Sequence, residues 1–175
     1  EMIGKATNFI QLHYKEFSSM SWVYSCGAGA NYGTALESAL KMGETIHIPS
    51  CCYEIEEYIH GPNLQLTPQY NVIFFDGNDG ASRRVEQVYK ATRKVSNRAY
   101  LISNNPQLSS DDHVLSLSDT VSSELCPLVY LPFVQLLSFI VSNDLHSIYQ
   151  HPLLKEFKAI AAAKTENFVN YDGDD

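Results

Sequence analysis

The chain has 175 residues, with 12 Lys and Arg against 20 Asp and Glu for a net charge of −8, and 45% of its residues are apolar. That is enough for one domain with a real core, not a disordered chain. No basic run is present to neutralise phosphates, which argues against a nucleic-acid partner. A single anionic ligand needs only a local pocket and remains open.

Cys26, Cys51, Cys52 and Cys126 form no CxxC pair and two are adjacent, a poor start for a zinc site or a disulfide framework. They read as reduced thiols of a cytoplasmic protein, with neither metal nor cofactor expected. No signal peptide is visible. The longest apolar run, 125–141, contains Pro127, Pro132, Gln135 and Ser138 and falls short of the ~20 residues of a membrane span. It is expected to be a buried helix. The chain opens on Glu1 inside what reads as a helix, so a fragment of a longer polypeptide is expected.

In chain order, Ile3, Ala6, Ile10, Tyr14 and Phe17 recur at helical spacing and predict a leading helix over 4–17. A β-rich run, 21–26, then enters a glycine-rich turn, Gly27 to Gly33. Strand, glycine turn and helix in succession is the geometry of ligand-binding edges in open α/β sheets, which makes Gly27, Gly29 and Asn31 candidate substrate-binding residues. The spacing is not GxGxxG, so no dinucleotide is implied, and the glycines also suit a plain tight turn.

The next helix, 34–42, predicts Leu36, Ala39, Leu40 and Gly43 facing inward. Glu37, Lys41 and Glu44 fall at i, i+4 and i+7, on one stripe. Such a stripe is either a solvated charged face or the lining of a site. Residues 45–49 read as a strand, and Ser50 as the cap of a helix running from Tyr53 to Ile59. Glu56 and Glu57 precede His60 by four and three residues, close enough to pair with its ring, and Gly61-Pro62 ends the helix. Beyond it, 71–76 (NVIFFD), 98–103 and 113–117 read as strands, 81–95 as a helix with Val85, Val88, Tyr89 and Thr92 on one side, and 125–141 as a covering helix. Strands alternating with helices predict a parallel sheet covered on both sides.

Three segments in order, GTALESALKMGE (33–44), YEIEEYIHGP (53–62) and YLPFVQLLSFI (130–140), resemble the sugar isomerase (SIS) domain family. The match is to the second SIS domain of glucosamine-6-phosphate synthase and its fructosamine-6-phosphate deglycase relatives, where a helix of the type ALEGALKLKE precedes a segment ending ELKHGP and, later, a PLQLLA helix. The resemblance covers roughly 22–161. It implies a flavodoxin-like three-layer α/β/α sandwich with a five-stranded parallel sheet, organised as a leading helix or linker (1–20), the SIS domain (21–145) and a C-terminal tail (146–175).

By position, the resemblance makes Glu44 the acid/base that moves a proton between C1 and C2 of an open-chain sugar phosphate. It makes His60 the ring-opening histidine, supplied across a dimer interface, and places Glu37 and Lys41 in the same pocket. A tail lysine that forms an imine corresponds to Lys158, with Lys155 the alternative. The family's Ser/Thr-rich phosphate grip lies in the first SIS domain and has no equivalent here, so this chain is expected to be the C-terminal half of a two-domain, homodimeric phosphosugar isomerase or deglycase. Two alternatives stand beside that reading. One is a phosphosugar-sensing module without catalysis. The other is the isomerase part of a glutamine-fructose-6-phosphate aminotransferase.

Overall fold

The computed structural model describes residues 1–117, 121–147 and 160. Strands β1 (Val23–Gly27), β2 (Ser50–Glu54), β3 (Asn71–Asp76), β4 (Ala99–Ser103) and β5 (Val114–Ser116) form one sheet in the order β2-β1-β3-β4-β5. All four pairings are parallel; Val23 lies opposite both Ser50 and Asn71, and Leu101 opposite Val114. This is the doubly wound, flavodoxin-like order, whose direction of winding reverses between β1 and β3.

Every residue of β1, β3 and β4 is buried, as a parallel sheet covered on both faces requires. Alternate side chains serve two cores. Ile73, Phe75, Tyr100 and Ile102 face the layer of α1 (Met2–Leu12), α2 (Tyr14–Ser18), α3 (Asn31–Lys41) and α6 (Cys126–Asp144). Val72, Phe74, Ala99 and Leu101 face the layer of α4 (Ile55–Ile59) and α5 (Ser82–Thr92). The three layers are those expected. The leading helix breaks at His13 and packs Met2, Ala6, Phe9 and Ile10 into the first core.

Helix α6 with its preceding turn, 123–144, is long and apolar enough by length and composition to cross a membrane. It extends three residues past the expected end, and Tyr130, Phe133, Val134, Leu137 and Val141 of it lie in the core beside α1 and α3.

The region after α3 differs from expectation. Helix α3 starts at Asn31, not Thr34, and runs into a π-helical turn, Met42–Ile46, and the strand predicted over 45–49 does not form. His47 then takes a left-handed conformation (φ 62°) and reverses the chain. Ser50, predicted as a helix cap, opens strand β2 instead; α4 begins at Ile55, and the Glu54 carboxylate caps it by accepting from the Glu56 amide at 2.7 Å. Strand β2 lies at the sheet edge with all five residues half-buried, so SCCYE lacks the apolar run that marks a central strand, and pairing with β1 decides its conformation.

Leu36 and Leu40, predicted inward, are 49% and 52% exposed. The buried face of α3 is Asn31, Thr34, Ala35, Ser38 and Ala39, small residues that let the helix lie close to β1, where the Ser25 and Ser38 hydroxyls meet at 2.9 Å.

Tyr130 OH on α6 donates to the Asp76 carbonyl on β3 at 2.7 Å, with both residues buried. Tyr130→Phe removes that donor and leaves a buried carbonyl unpaired. The expected loss is about 1–3 kcal/mol in urea denaturation with an unchanged m value.

Candidate functional site

The predicted site residues fall in three places. The first is the exposed stripe of α3 and its π turn. Lys41 Nζ lies 2.7 Å from Glu44 Oε2 and 3.4 Å from Glu37 Oε1, so the helical spacing does bring these three together. The hydrogen bond to Glu44, with the help of Glu37 and against partial burial, raises the Lys41 pKa. The ammonium therefore stays charged. Beside the triad an open groove of about 550 Å³ runs between α3 and the edge strand, lined by Leu36, Leu40, Gly43, Glu44, Ser50 and Cys52. Burial and the neighbouring Cys51 push the Cys52 thiol up to about 11, so it is protonated at neutral pH and a poor nucleophile. All four cysteines are free.

The second place is the C-terminal edge of the sheet at the β1/β3 reversal, where Gly27, Gly29 and Asn31 lie. A Cβ on Gly27 would collide with the Asn31 carbonyl, and Gly29 holds φ at +54°, so both glycines are sterically required. Asn31 is 1% exposed; its Oδ1 accepts from Thr34 Oγ1 at 3.2 Å, while its Nδ2 finds no partner among the described residues. Opposite, a Cβ on Gly77 would lie 2.9 Å from that Nδ2 and 3.0 Å from Asp79 Oδ2. The edge is thus closely packed backbone around a buried amide, with the Asp79 carboxylate beside it.

The third place is the end of α4. His60 Nδ1 lies 2.6 Å from the Glu56 carbonyl, which only accepts, so Nδ1 donates, and in the neutral tautomer Nε2 is the nitrogen left to accept. The predicted carboxylate partner is absent from this contact. The Glu56 carboxylate instead takes a two-pronged bond from Arg84, Nε at 2.7 Å and Nη2 at 3.0 Å, and Arg84 holds its pKa below the usual carboxylate range. His60 is exposed and belongs to the α4/α5 layer, whereas Glu44 belongs to the α1/α3/α6 layer. One chain does not bring Glu44 and His60 into one site. Lys158 and its alternative Lys155 lie outside the described residues.

Sequence reasoning missed the Asp76 cluster. The Asp76 carboxylate is fully buried and accepts from Ser82 Oγ, from Ser103 Oγ at 2.7 Å and from the Asn78 amide at 3.1 Å. The available signal was an acid directly ending the apolar run NVIFF, at the strand end where open α/β sheets gather polar groups. It also missed Ser50 and Ser147, hydroxyls that bond the backbone around Glu44. Among the described residues Asp111, Asp112 and His113 converge closely enough to hold a cation. Their atoms are taken up internally: Asp111 by Tyr89 OH and the His113 amide, Asp112 by His113 Nδ1.

No protein-family model matches the chain. In sequence it is similar to the glutamine–fructose-6-phosphate aminotransferase (isomerizing) of Methanothermobacter thermautotrophicus, 30% identical over 131 residues, which is 73% of this chain and 22% of that protein. The enzyme of the same name from Xylella fastidiosa is 28% identical over 125 residues, 70% of this chain and 20% of that protein. The chain spans about a fifth of the length of these relatives. In fold it matches a Clostridium difficile protein provisionally described as a phosphosugar isomerase, with a TM-score of 0.79 at 19% identity over 93% of this chain and 46% of the other. The C-terminal domain of glucosamine-fructose-6-phosphate aminotransferase from Francisella tularensis superposes with a TM-score of 0.69 at 23% identity, covering 81% of this chain and 40% of that one.

The electrostatics of the triad make one expectation. Lys41 has a raised pKa, so the contribution of its pairing is present below the ordinary lysine value and is lost as pH rises through the raised one. In Glu44→Gln only Glu37 remains, and the Lys41 ammonium, followed by NMR titration, is expected to lose its proton at lower pH than in the parent.

Proposed function

We propose that this chain, related by sequence to these aminotransferases and sharing its fold with the solved structures above, is a sugar isomerase (SIS)-type domain that performs a 1,2-proton transfer on an open-chain amino-sugar or fructosamine 6-phosphate. The observation that carries this reading is the Glu37–Lys41–Glu44 triad beside an open groove, with one carboxylate directed at the groove and an ammonium held charged next to it.

In the deglycase direction the proton leaves C1 and returns to C2, the C2 carbonyl becomes a hydroxyl, and the amine is left in a C1=N imine. Water then hydrolyses that imine, releasing the amine and a hexose phosphate. Glu44 is the proton carrier, a role a positioned carboxylate fills with about 10²–10⁴ in rate. Lys41 stabilises the negative charge that builds on the carbonyl oxygen as the proton departs. His60, whose Nδ1 is held by the Glu56 carbonyl and whose Nε2 faces away from that bond, would shuttle a proton during ring opening. Because it lies in the other layer, it would act on the groove of a partner subunit in a homodimer. Gly27, Gly29 and Asn31 lie at the opposite end of α3 from Glu44 and do not line this groove; a lysine of the tail, Lys158 or Lys155, would enter where a ketose carbonyl is held as an imine. A preceding SIS domain of the same polypeptide would hold the phosphate, in a cytoplasmic protein with no metal or cofactor.

The names of the sequence relatives favour a second reading, in which the same proton transfer serves amination of fructose 6-phosphate as the isomerase part of an aminotransferase. Supplying the full-length protein with fructosamine 6-phosphate, and separately with fructose 6-phosphate and an ammonia donor, distinguishes the two. In whichever reaction proceeds, Glu44→Gln is expected to lower kcat about 10²–10⁴-fold with the melting temperature retained. Parental turnover in that variant refutes the proton-carrier role; binding of hexose 6-phosphates without turnover points to a sensing module.

A further inference from the structure

The carboxylate proposed as proton carrier is carried by a π-helical turn, not by a regular helix. Such turns close their hydrogen bonds over i→i+5, are rare, and gather at functional sites. A π turn holds one extra residue, so its collapse to α register would swing the adjoining chain by about 100°, the rotation of one helical residue. Glu44 lies in the middle of this one, Met42–Ile46, and its pairing with Lys41 at 2.7 Å depends on where the turn presents it.

Three hydroxyls engage the carbonyls of this segment. Thr45 Oγ1 donates to Lys41 O at 2.8 Å from within the turn. The other two arrive from elsewhere in the fold. Ser50 Oγ, on the first residue of β2, donates to Ala39 O at 2.5 Å; Ser147 Oγ, three residues past the end of α6, donates to Thr45 O at 2.6 Å. The Ser50 contact has its own steric condition, because a Cβ on Gly43 would lie 3.2 Å from that hydroxyl. One hydroxyl therefore ties the end of α3, which leads into the turn, to the sheet edge, and the other, whose second acceptor is Ser142 O at 3.4 Å, ties the turn itself to the chain just past the long core helix.

We propose that Ser50 and Ser147 are positioning residues that hold the π register and thereby set where Glu44 presents its carboxylate to the groove. They touch no reacting atom. They act through the backbone of residues 39–45. The inference rests on the reading of Glu44 as the proton carrier, and it adds the elements that fix its aim.

The test uses the full-length protein with fructosamine 6-phosphate. Ser50→Ala and Ser147→Ala are each expected to lower kcat by about ten- to a hundredfold, the scale of a misplacement near 1 Å, with KM changed less than about twofold. Ser147→Thr keeps the hydroxyl and is expected to restore kcat. NMR titration of Lys41 gives a readout that needs no substrate. Its raised pKa depends chiefly on Glu44, so both alanine variants are expected to titrate at lower pH than the parent, and Ser147→Thr with the parent. Alanine variants with parental kcat and parental Lys41 titration overturn the proposal. So does a loss of kcat that Ser147→Thr fails to restore while Lys41 is unmoved, since that pattern belongs to general destabilisation. The two readings also fail separately. An active Glu44→Gln removes the proton-carrier role, whereas an inactive Glu44→Gln beside fully active serine variants removes only the positioning role.

Discussion

The buried carboxylate and carbonyl of Asp76 hold the molecule's layers in register. From the end of the central strand its carboxylate accepts from Ser82 at the start of α5 and from Ser103 at the end of β4, while its carbonyl takes Tyr130 OH from α6. Strand β3, its neighbour β4 and one helix from each outer layer therefore meet at one fully buried residue. An acid without solvent is costly unless its oxygens are occupied, and here two hydroxyls and an amide occupy them. The cost of disturbing any one partner is thus a penalty on the group left behind, which makes the C-terminal edge of the sheet a rigid platform.

That platform determines what one chain can and cannot assemble. Winding reverses between β1 and β3, so α3 lies in the layer with α1 and α6, and α4 in the layer with α5. Glu44 and His60 are separated by only sixteen positions in sequence, yet a whole sheet lies between their layers. The two proposed proton carriers, on opposite faces of the sheet, would therefore meet at one substrate only with a second chain or domain, as the proposed homodimer supplies. Leu36 and Leu40 are exposed beside that groove, and the chain spans less than half of the solved proteins that share its fold.

What was legible in the sequence depends on where each element lies. NVIFFD is buried on both faces, so its composition alone declares a central strand, and its bounds coincide with β3. Ser50–Glu54 lies at the sheet edge, where burial is partial and SCCYE offers no apolar run; pattern could not identify it, and tertiary pairing made it a strand. The inward face of α3 was misread for a related reason. A helix packed tightly on a strand needs small residues at the contact, so Ala35, Ser38 and Ala39 go in and the leucines stay out. The Glu37–Lys41–Glu44 stripe was legible because it depends only on helical spacing, although the last member is delivered by a π turn that no periodicity announces. The switch of the Glu56 carboxylate from His60 to Arg84 depends on α5 lying alongside α4, a long-range fact outside any local window.

The triad also carries an internal tension that bears on how proton transfer would start. The Lys41–Glu44 contact at 2.7 Å pairs the proposed proton carrier with a cation, and the proposed reaction has to open that contact. Glu37, at 3.4 Å on the other side of the same ammonium, supplies the alternative partner. A lysine that leans towards Glu37, or towards a carbonyl oxygen of bound sugar, releases Glu44 without leaving its own charge unpaired. At such exposure the two ion pairs contribute little to stability, which leaves the triad available for the proposed proton transfer.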